Sequence, residues 1–299
     1  MRTQTPVEPD FKLRRSVLYV PGSNDRALAK AGTLPADVLI LDLEDAVLPA
    51  AKASARANVV AAVASGQFGR REVVIRINGL DTPWGEADLQ AVSRSVASAI
   101  LLPKISAAGT VQDVAAHLDA GTSDDMRLWC MLETPRAILD ADQIAGSSAR
   151  LAVLVMGTAD LGKALRLPDD PHRTALAPVL AHCVLAARAA QLDILDGVYT
   201  RLADAGGFKA ECQQGRQFGF DGKTLIHPNQ VDACNEIFGV SAVEAERAAA
   251  LIAAWDAAGV GSSGVIVHEQ RMVEQLHVEE ARRVLASHQA MLRNDNANN

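Results

Sequence analysis

The chain lacks the marks of several common protein classes. It has four cysteines in 299 residues, Cys130, Cys183, Cys212 and Cys234, widely separated and without a C-x-x-C pair. Neither a zinc site nor a disulfide framework is indicated, and a reducing, cytoplasmic setting fits best. No apolar run reaches the ~20 residues of a membrane span. The opening MRTQTPVEPDFK is polar, carries two prolines and has no apolar signal-peptide core. Seven histidines form no H-x-x-x-H or H-E-x-x-H pair, and no G-x-S-x-G elbow or P-loop occurs. No glycine-rich phosphate loop follows a predicted strand. Basic residues are outnumbered, 29 against 36, giving a net charge of −7. That balance argues against nucleic acid or an anionic membrane as the main partner and favours small molecules.

With 49% hydrophobic and 22% charged residues, the chain has the composition of an ordinary globular protein with a large core. Eight short β-rich runs alternate with Ala/Leu-rich segments of helical period. The runs are 16–22, 38–45, 73–78, 99–105, 127–134, 151–161, 192–199 and 220–228. Their near-continuous hydrophobicity suits parallel strands buried on both faces. Helices are expected over 24–31, 50–64, 84–96, 110–120, 135–145, 175–190, 204–217 and 228–238. Eight strand–helix pairs predict an α/β fold, a (β/α)8 TIM barrel, with a doubly wound open sheet as the structural rival. Past Ser241 the pattern changes to an alanine-rich helix over 243–257, a break at GVGSSG, and a charged helix over about 277–288. The expected organisation is a flexible arm (1–12), the barrel (13–240), a small C-terminal helical appendage (241–292) and a disordered tail (293–299).

Polar residues gather at the C-terminal ends of the expected strands: Asp42, Glu44, Asp45, Arg76, Asn78, Lys104, Glu133, Asp160 and Asp196. In a barrel those ends share one rim, where loops converge on a substrate. Singly, each residue also reads as a structural ion pair or cap. Glu133 and Asp160 close neighbouring strands, which suits a magnesium ion, commonly bound by one or two carboxylates with water and substrate. Proton transfer between paired carboxylates is the alternative use. Arg76 offers a planar fork for a carboxylate, and beside a cation it suits a 2-oxo or 2-hydroxy acid and the enolate charge of a Claisen-type lyase. Arg14 and Arg15 before the first strand read either as a phosphate grip or as solvated bases. His227, before Pro228, reads as part of a structural turn.

The ordered set RRSVLYVPGSN, LDLEDAV, RINGLDTPWG, LPKI, LETPR, GTADL, DGVY and GFDGKTLIHPNQV, spanning Arg14 to Val231, resembles the HpcH/HpaI aldolase and citrate lyase β-subunit superfamily. The likeness is greatest to its stand-alone CoA-dependent branch. The resemblance implies a magnesium-dependent barrel enzyme, with manganese as a possible substitute, forming a homotrimer or homohexamer. It implies reversible carbon–carbon cleavage of a 3-hydroxyacyl-CoA, such as citryl-, malyl- or citramalyl-CoA, to an acyl-CoA and a 2-oxo acid. By motif, Glu133 and Asp160 would be metal ligands, Arg76 would hold the oxo acid, and Asp45 would support metal-bound water. Arg14, Arg15 and Lys104 would contact substrate or CoA. Two departures stand out. Ala159 occupies a position that is acidic in many relatives, and the C-terminal lid aspartate of related lyases is matched by Glu274, one methylene longer, as the catalytic acid. Alternatives are a malyl-CoA thioesterase, a CoA-independent 2-oxo acid aldolase and a non-catalytic CoA-binding or oxo-acid-binding subunit.

Overall fold

The computed structural model describes residues 12–121, 125–259 and 264–297; the expected arm lies almost wholly outside them. The chain divides into a barrel unit, Arg14–Phe238, and a second unit of Gly239–Asn299 with Met1–Leu13. Eight parallel strands close in sequence order, β1 (Ser16–Pro21), β2 (Val38–Asp42), β3 (Glu72–Arg76), β4 (Ala99–Leu102), β5 (Arg127–Leu132), β6 (Leu151–Met156), β7 (Asp193–Asp196) and β8 (Gly222–Leu225). This is the expected (β/α)8 barrel, and the doubly wound alternative is excluded by the pairing of β8 with β1.

The continuous apolar runs fill two cores by strict alternation along each strand. In β2, Val38 and Ile40 join the barrel interior, whereas Leu39 and Leu41 join the layer between sheet and helices. That outer layer is closed by α1 (Asp25–Ala31), α2 (Lys52–Ala64), α3 (Gly85–Val92), α4 (Ala108–Asp119), α5 (Pro135–Leu139), α6 (Ala141–Ala145), α7 (Thr158–Ala164), α8 (Ala177–Ala189), α9 (Ala205–Phe218) and α10 (Val231–Phe238). Side chains fix several helix starts: Asn24, Thr134 and Asp204 each accept a hydrogen bond from the backbone N–H three residues on. The helix expected over 135–145 breaks at Asp140 into α5 and α6. The run 151–161 is a strand only to Met156 and becomes α7 after Gly157. The apolar stretch ends at Met156, and the Gly157-Thr158 step that follows it marks the change from strand to helix.

The C-terminal unit holds α11 (Ala242–Ala258), the antiparallel hairpin β9 (Ile266–His268) and β10 (Arg271–Val273), and α12 (Gln275–Ala297). A Ser241/Glu244 capping box starts α11, and Gly259, with φ 62°, ends it in the left-handed region. GVGSSG has the spelling G-x-G-x-x-G, yet it follows a helix rather than a strand, so the context of a dinucleotide loop is missing; its residues 260–263 lie outside those described. The hairpin corrects the all-helical appendage. Its three-residue strands are too short to show a period, and its turn uses Glu269 and Gln270 at φ 47° and 63° in place of the expected glycines. Trp255, Val273 and Val278 form this unit's core. The tail expected to be disordered is helical through Ala297, since neither glycine nor proline interrupts it. Among the described residues, no helix is long and apolar enough to cross a membrane.

Candidate active site

The alternation that fills the two cores also decides which polar residues reach the rim. With Ile40 and Val74 inside the barrel, the two-residue period carries Asp42 and Arg76 inward, and with Met131 inside it carries Glu133 inward. All three line a cavity of about 320 Å³ with Tyr19, Asp45 and Met131. Leu195 is interior, so Asp196 points outward into the helix layer. There, fully buried, it pairs with Arg173 (2.7 Å) and Lys223 (2.9 Å). Asn78 shares the parity of Arg76 but lies past the end of β3, and it turns away to donate to the Leu43 carbonyl and to Asp88. Neither belongs to the cavity.

Arg76 is nine-tenths buried and largely engaged by the protein itself. Its Nε and Nη2 donate to the two oxygens of Asp42 at 2.6 and 2.7 Å. Nη1 lies 3.0 Å from Glu44, 3.6 Å from Asp45 and 3.7 Å from the Met131 sulfur. The two-pronged face expected to grip an acid is thus spent on Asp42, which leaves Nη1 toward the cavity. Lys104, in the left-handed region at φ 52°, pairs through Nζ with Glu44 (2.5 Å), and its backbone N–H donates to Glu133 Oε1 (2.6 Å). That hydrogen bond positions Glu133. Burial pushes the Glu133 carboxyl up to about 7; the Lys104 N–H opposes this, while the charges of Glu44 and Asp160 add to it. Gly157 makes the close approach of β6 possible, because a Cβ there would lie 2.3 Å from Glu133 Cβ.

Five carboxylates, Asp42, Glu44, Asp45, Glu133 and Asp160, therefore face three cations, Arg76, Lys104 and Lys52. Such a rim repels an anionic ligand unless a cation offsets the excess. No group of three or more His, Cys, Asp or Glu side chains poised for a metal occurs among the described residues. Magnesium needs only one or two carboxylates beside water and substrate oxygens; Glu133 lines the cavity, and Asp160, half-buried in the first turn of α7, lies outside its lining but near enough for its charge to raise the Glu133 carboxyl.

Arg14 and Arg15 are not brought to this rim, which corrects their expected role in substrate contact. They precede β1, at the opposite end of the barrel. Arg14 pairs with Glu72 and Asp193 and lies over the Trp129 ring, while Arg15 pairs with Asp37. Buried arginines so engaged close the barrel floor. Glu274 sits in the C-terminal unit between β10 and α12, half-buried, its backbone N–H donating to Nδ1 of His277 (3.0 Å); its expected role as acid rests on the resemblance. His227 forms a turn, accepting from the Asn229 N–H. Sequence reasoning missed Tyr19, whose ring stacks on Arg76 at 4.7 Å. It also missed Lys52, which donates to the Leu43 and Glu44 carbonyls and so holds the loop after β2. The only available signal for Tyr19 was its inward parity in β1.

Residues 15–228 match the family model HpcH/HpaI aldolase/citrate lyase, and the chain belongs to that family. It is similar to the (3S)-malyl-CoA thioesterase of Cereibacter sphaeroides, 46% identical over 277 residues that cover 93% of this chain and 95% of that protein. It is also similar to the citrate lyase subunit beta of Escherichia coli K12, 33% identical over 92% of this chain and 93% of that protein. Among solved structures it resembles CitE of Mycobacterium tuberculosis in complex with magnesium, acetoacetate and coenzyme A. That likeness has 25% identity and a TM-score of 0.74, and covers 92% of this chain and 97% of that one. A citrate lyase from Burkholderia xenovorans, 20% identical with a TM-score of 0.81 over 97% of this chain and 96% of that one, shows the likeness of fold.

Proposed function

We propose that the chain is a magnesium-dependent enzyme acting on a short 3-hydroxyacyl-CoA such as malyl-CoA, with Glu133 and Asp160 as the metal-holding carboxylates. The observation that carries this reading is the buried Glu133 beside Arg76 in a cavity with excess negative charge. A cation held there would act as a Lewis acid on substrate oxygens. Arg76 Nη1 would take the acid's carboxylate, Asp45 would support bound water, and the Glu44–Lys104 pair would fix Glu133 through the Lys104 N–H. Met131, Met156 and Val198 supply apolar walls that exclude water.

Thioester hydrolysis is the net reaction favoured by the 46% identity to a malyl-CoA thioesterase. Water adds to the thioester carbonyl, the C–S bond breaks, and the departing thiolate takes a proton, giving malate and CoA. Carbon–carbon cleavage is the second reading, favoured by the similarity to citrate lyase subunit beta. There the hydroxyl proton leaves, the C–C bond breaks, and protonation of the thioester enolate gives acetyl-CoA and glyoxylate. A cytoplasmic homotrimer or homohexamer accompanies either reading. Mass-spectrometric product analysis with malyl-, citramalyl- and citryl-CoA, with magnesium and with excess chelator, separates them. Chelator-sensitive release of the intact hydroxy acid plus free CoA (malate from malyl-CoA) supports hydrolysis, chelator-sensitive release of a 2-oxo acid plus acetyl-CoA (glyoxylate from malyl-CoA) supports cleavage, and intact thioesters throughout would remove both.

Because the Glu133 carboxyl is pushed up to about 7, a cation binding at lower pH must displace its proton. Calorimetric magnesium affinity is expected to rise about tenfold per pH unit below about pH 7 and to flatten above it. A flat profile from about pH 5 upward would remove Glu133 from the metal site. Gly157→Ala, which drives a methyl into Glu133, is expected to weaken magnesium binding at least about tenfold while circular dichroism stays that of the folded barrel.

A further inference from the structure

Two hydrogen-bond donors in the cavity meet at the Met131 sulfur; Arg76 Nη1 also has Glu44 at 3.0 Å, whereas the Tyr19 hydroxyl has the thioether alone. The Tyr19 hydroxyl donates to the Met131 sulfur at 3.8 Å, and Arg76 Nη1 approaches the same sulfur at 3.7 Å. A thioether is a weak acceptor, and the Tyr19 hydroxyl makes no other hydrogen bond among the described residues. Both donors line the cavity, and the Tyr19 ring lies under the guanidinium, 4.7 Å from its carbon, so their separation is fixed by stacking. Tyr19 is half-buried at the cavity wall, and a hydroxyl with so poor a partner gains by donating to a ligand oxygen instead.

We propose that the Tyr19 hydroxyl and Arg76 Nη1 form one donor pair that receives the carboxylate of the 2-oxo or 2-hydroxy acid portion of the substrate, which makes Tyr19 a substrate-binding residue. The inference rests on the function proposed above and adds a residue to it. The phenol suits the task because it stays protonated: burial raises its pKa, and the carboxylates of Asp42, Glu133 and Glu44 add to this against the opposing effect of Arg76. A neutral donor adds a hydrogen bond without competing with the guanidinium for Asp42. It recognises an oxygen rather than a charge, so the preference for a carboxylate over an amide or ester of the same shape comes from Arg76, to which neither offers an ionic partner.

Tyr19→Phe removes the hydroxyl and retains the ring that supports Arg76. With magnesium present, the variant is expected to bind glyoxylate and pyruvate about tenfold more weakly by calorimetry. Its KM for malyl-CoA should rise by a similar factor while kcat stays within about threefold. Tyr19→Leu, which also removes the stack, should lose more and lower kcat as well. Wild-type affinity in Tyr19→Phe, or an equal fall in kcat with KM unchanged, would overturn the assignment. If the wild-type protein neither binds these acids nor turns over malyl-CoA, the proposed function fails instead, so the two failures are distinct.

Discussion

Glu133→Gln is expected to reduce turnover by about 10³-fold or more and to make the metal-free protein more stable at alkaline pH. Both effects have one cause. Glu133 is 3% exposed, and its carboxyl stands at about 7 in place of 4.5. That displacement corresponds to about 3 kcal/mol of bias against the ionised form, to order of magnitude. The sign follows from the raised folded value. The contribution is fully present below the unfolded pKa of about 4.5 and is lost as pH rises through about 7. Above that pH the metal-free protein carries an ionised, buried carboxylate repelled by Glu44 and Asp160, a cost that a cation would offset. Glutamine keeps the shape and removes the charge. Thermal unfolding at about pH 8 should therefore show a midpoint several degrees higher for the metal-free variant, and magnesium should shift the midpoint of the wild type alone. A variant that loses stability, or that still responds to magnesium, would remove Glu133 from the role proposed for it.

Lys223→Met is expected to destabilise the barrel by about 3–5 kcal/mol, the cost of breaking a buried ion network on one side. Lys223 is fully buried and pairs with Asp196 at 2.9 Å and Glu211 at 2.7 Å, and Arg173 serves the same two carboxylates at 2.7 and 3.5 Å. Two cations meet two carboxylates between β7, β8 and α9, and removing one cation strands a charge in the helix layer. Burial alone would raise the Asp196 pKa, but Lys223 and Arg173 hold it below its usual 3.8. Its stabilisation is accordingly present above about pH 4 and lost as pH falls through the lowered folded value. Urea titration measures the loss, and Lys223→Met with Glu211→Gln should recover part of it by removing the stranded charge. A wild-type midpoint in the single variant would show that the network contributes nothing net. Lys223 also donates to the Gly197 carbonyl, and Gly197 abuts Thr158 at the start of α7, so the network reaches the element that carries Asp160.

Most of the barrel was legible because each buried parallel strand is a continuous apolar run, and all eight start within two residues of where those runs begin. The boundary inside 151–161 was poorly legible although Gly157, Thr158 and Asp160 interrupt the apolar run after Met156, because a polar strand end and a helix start look alike over so few residues. The hairpin of the C-terminal unit escaped for the opposite reason: Ile266–His268 and Arg271–Val273 are shorter than the window over which a period can be recognised. At the site, Glu133 and Arg76 stood out as polar residues closing apolar runs, a signal that rests on the cost of burying them unpaired. Asp196 and Asn78 gave the same signal and proved to belong to the helix layer. Tyr19 gave only its inward parity, which does not single it out, because an aromatic residue in a buried strand is ordinary core.

The sequence by itself determined the architecture and the chemical kind of the rim. Hydrophobic period, strand count and the polar punctuation at strand ends are local properties, written residue by residue. Tertiary structure alone decided which of those polar residues meet. The inward parity of Asp42, Arg76 and Glu133, the outward parity of Asp196, and the placement of Arg14 and Arg15 at the far end depend on register and barrel closure. The same closure sets Asp42 against Arg76 and brings one guanidinium nitrogen and the Tyr19 hydroxyl to the same Met131 sulfur. Charge pairing acts through space between residues far apart in the chain, so no window of sequence contains it.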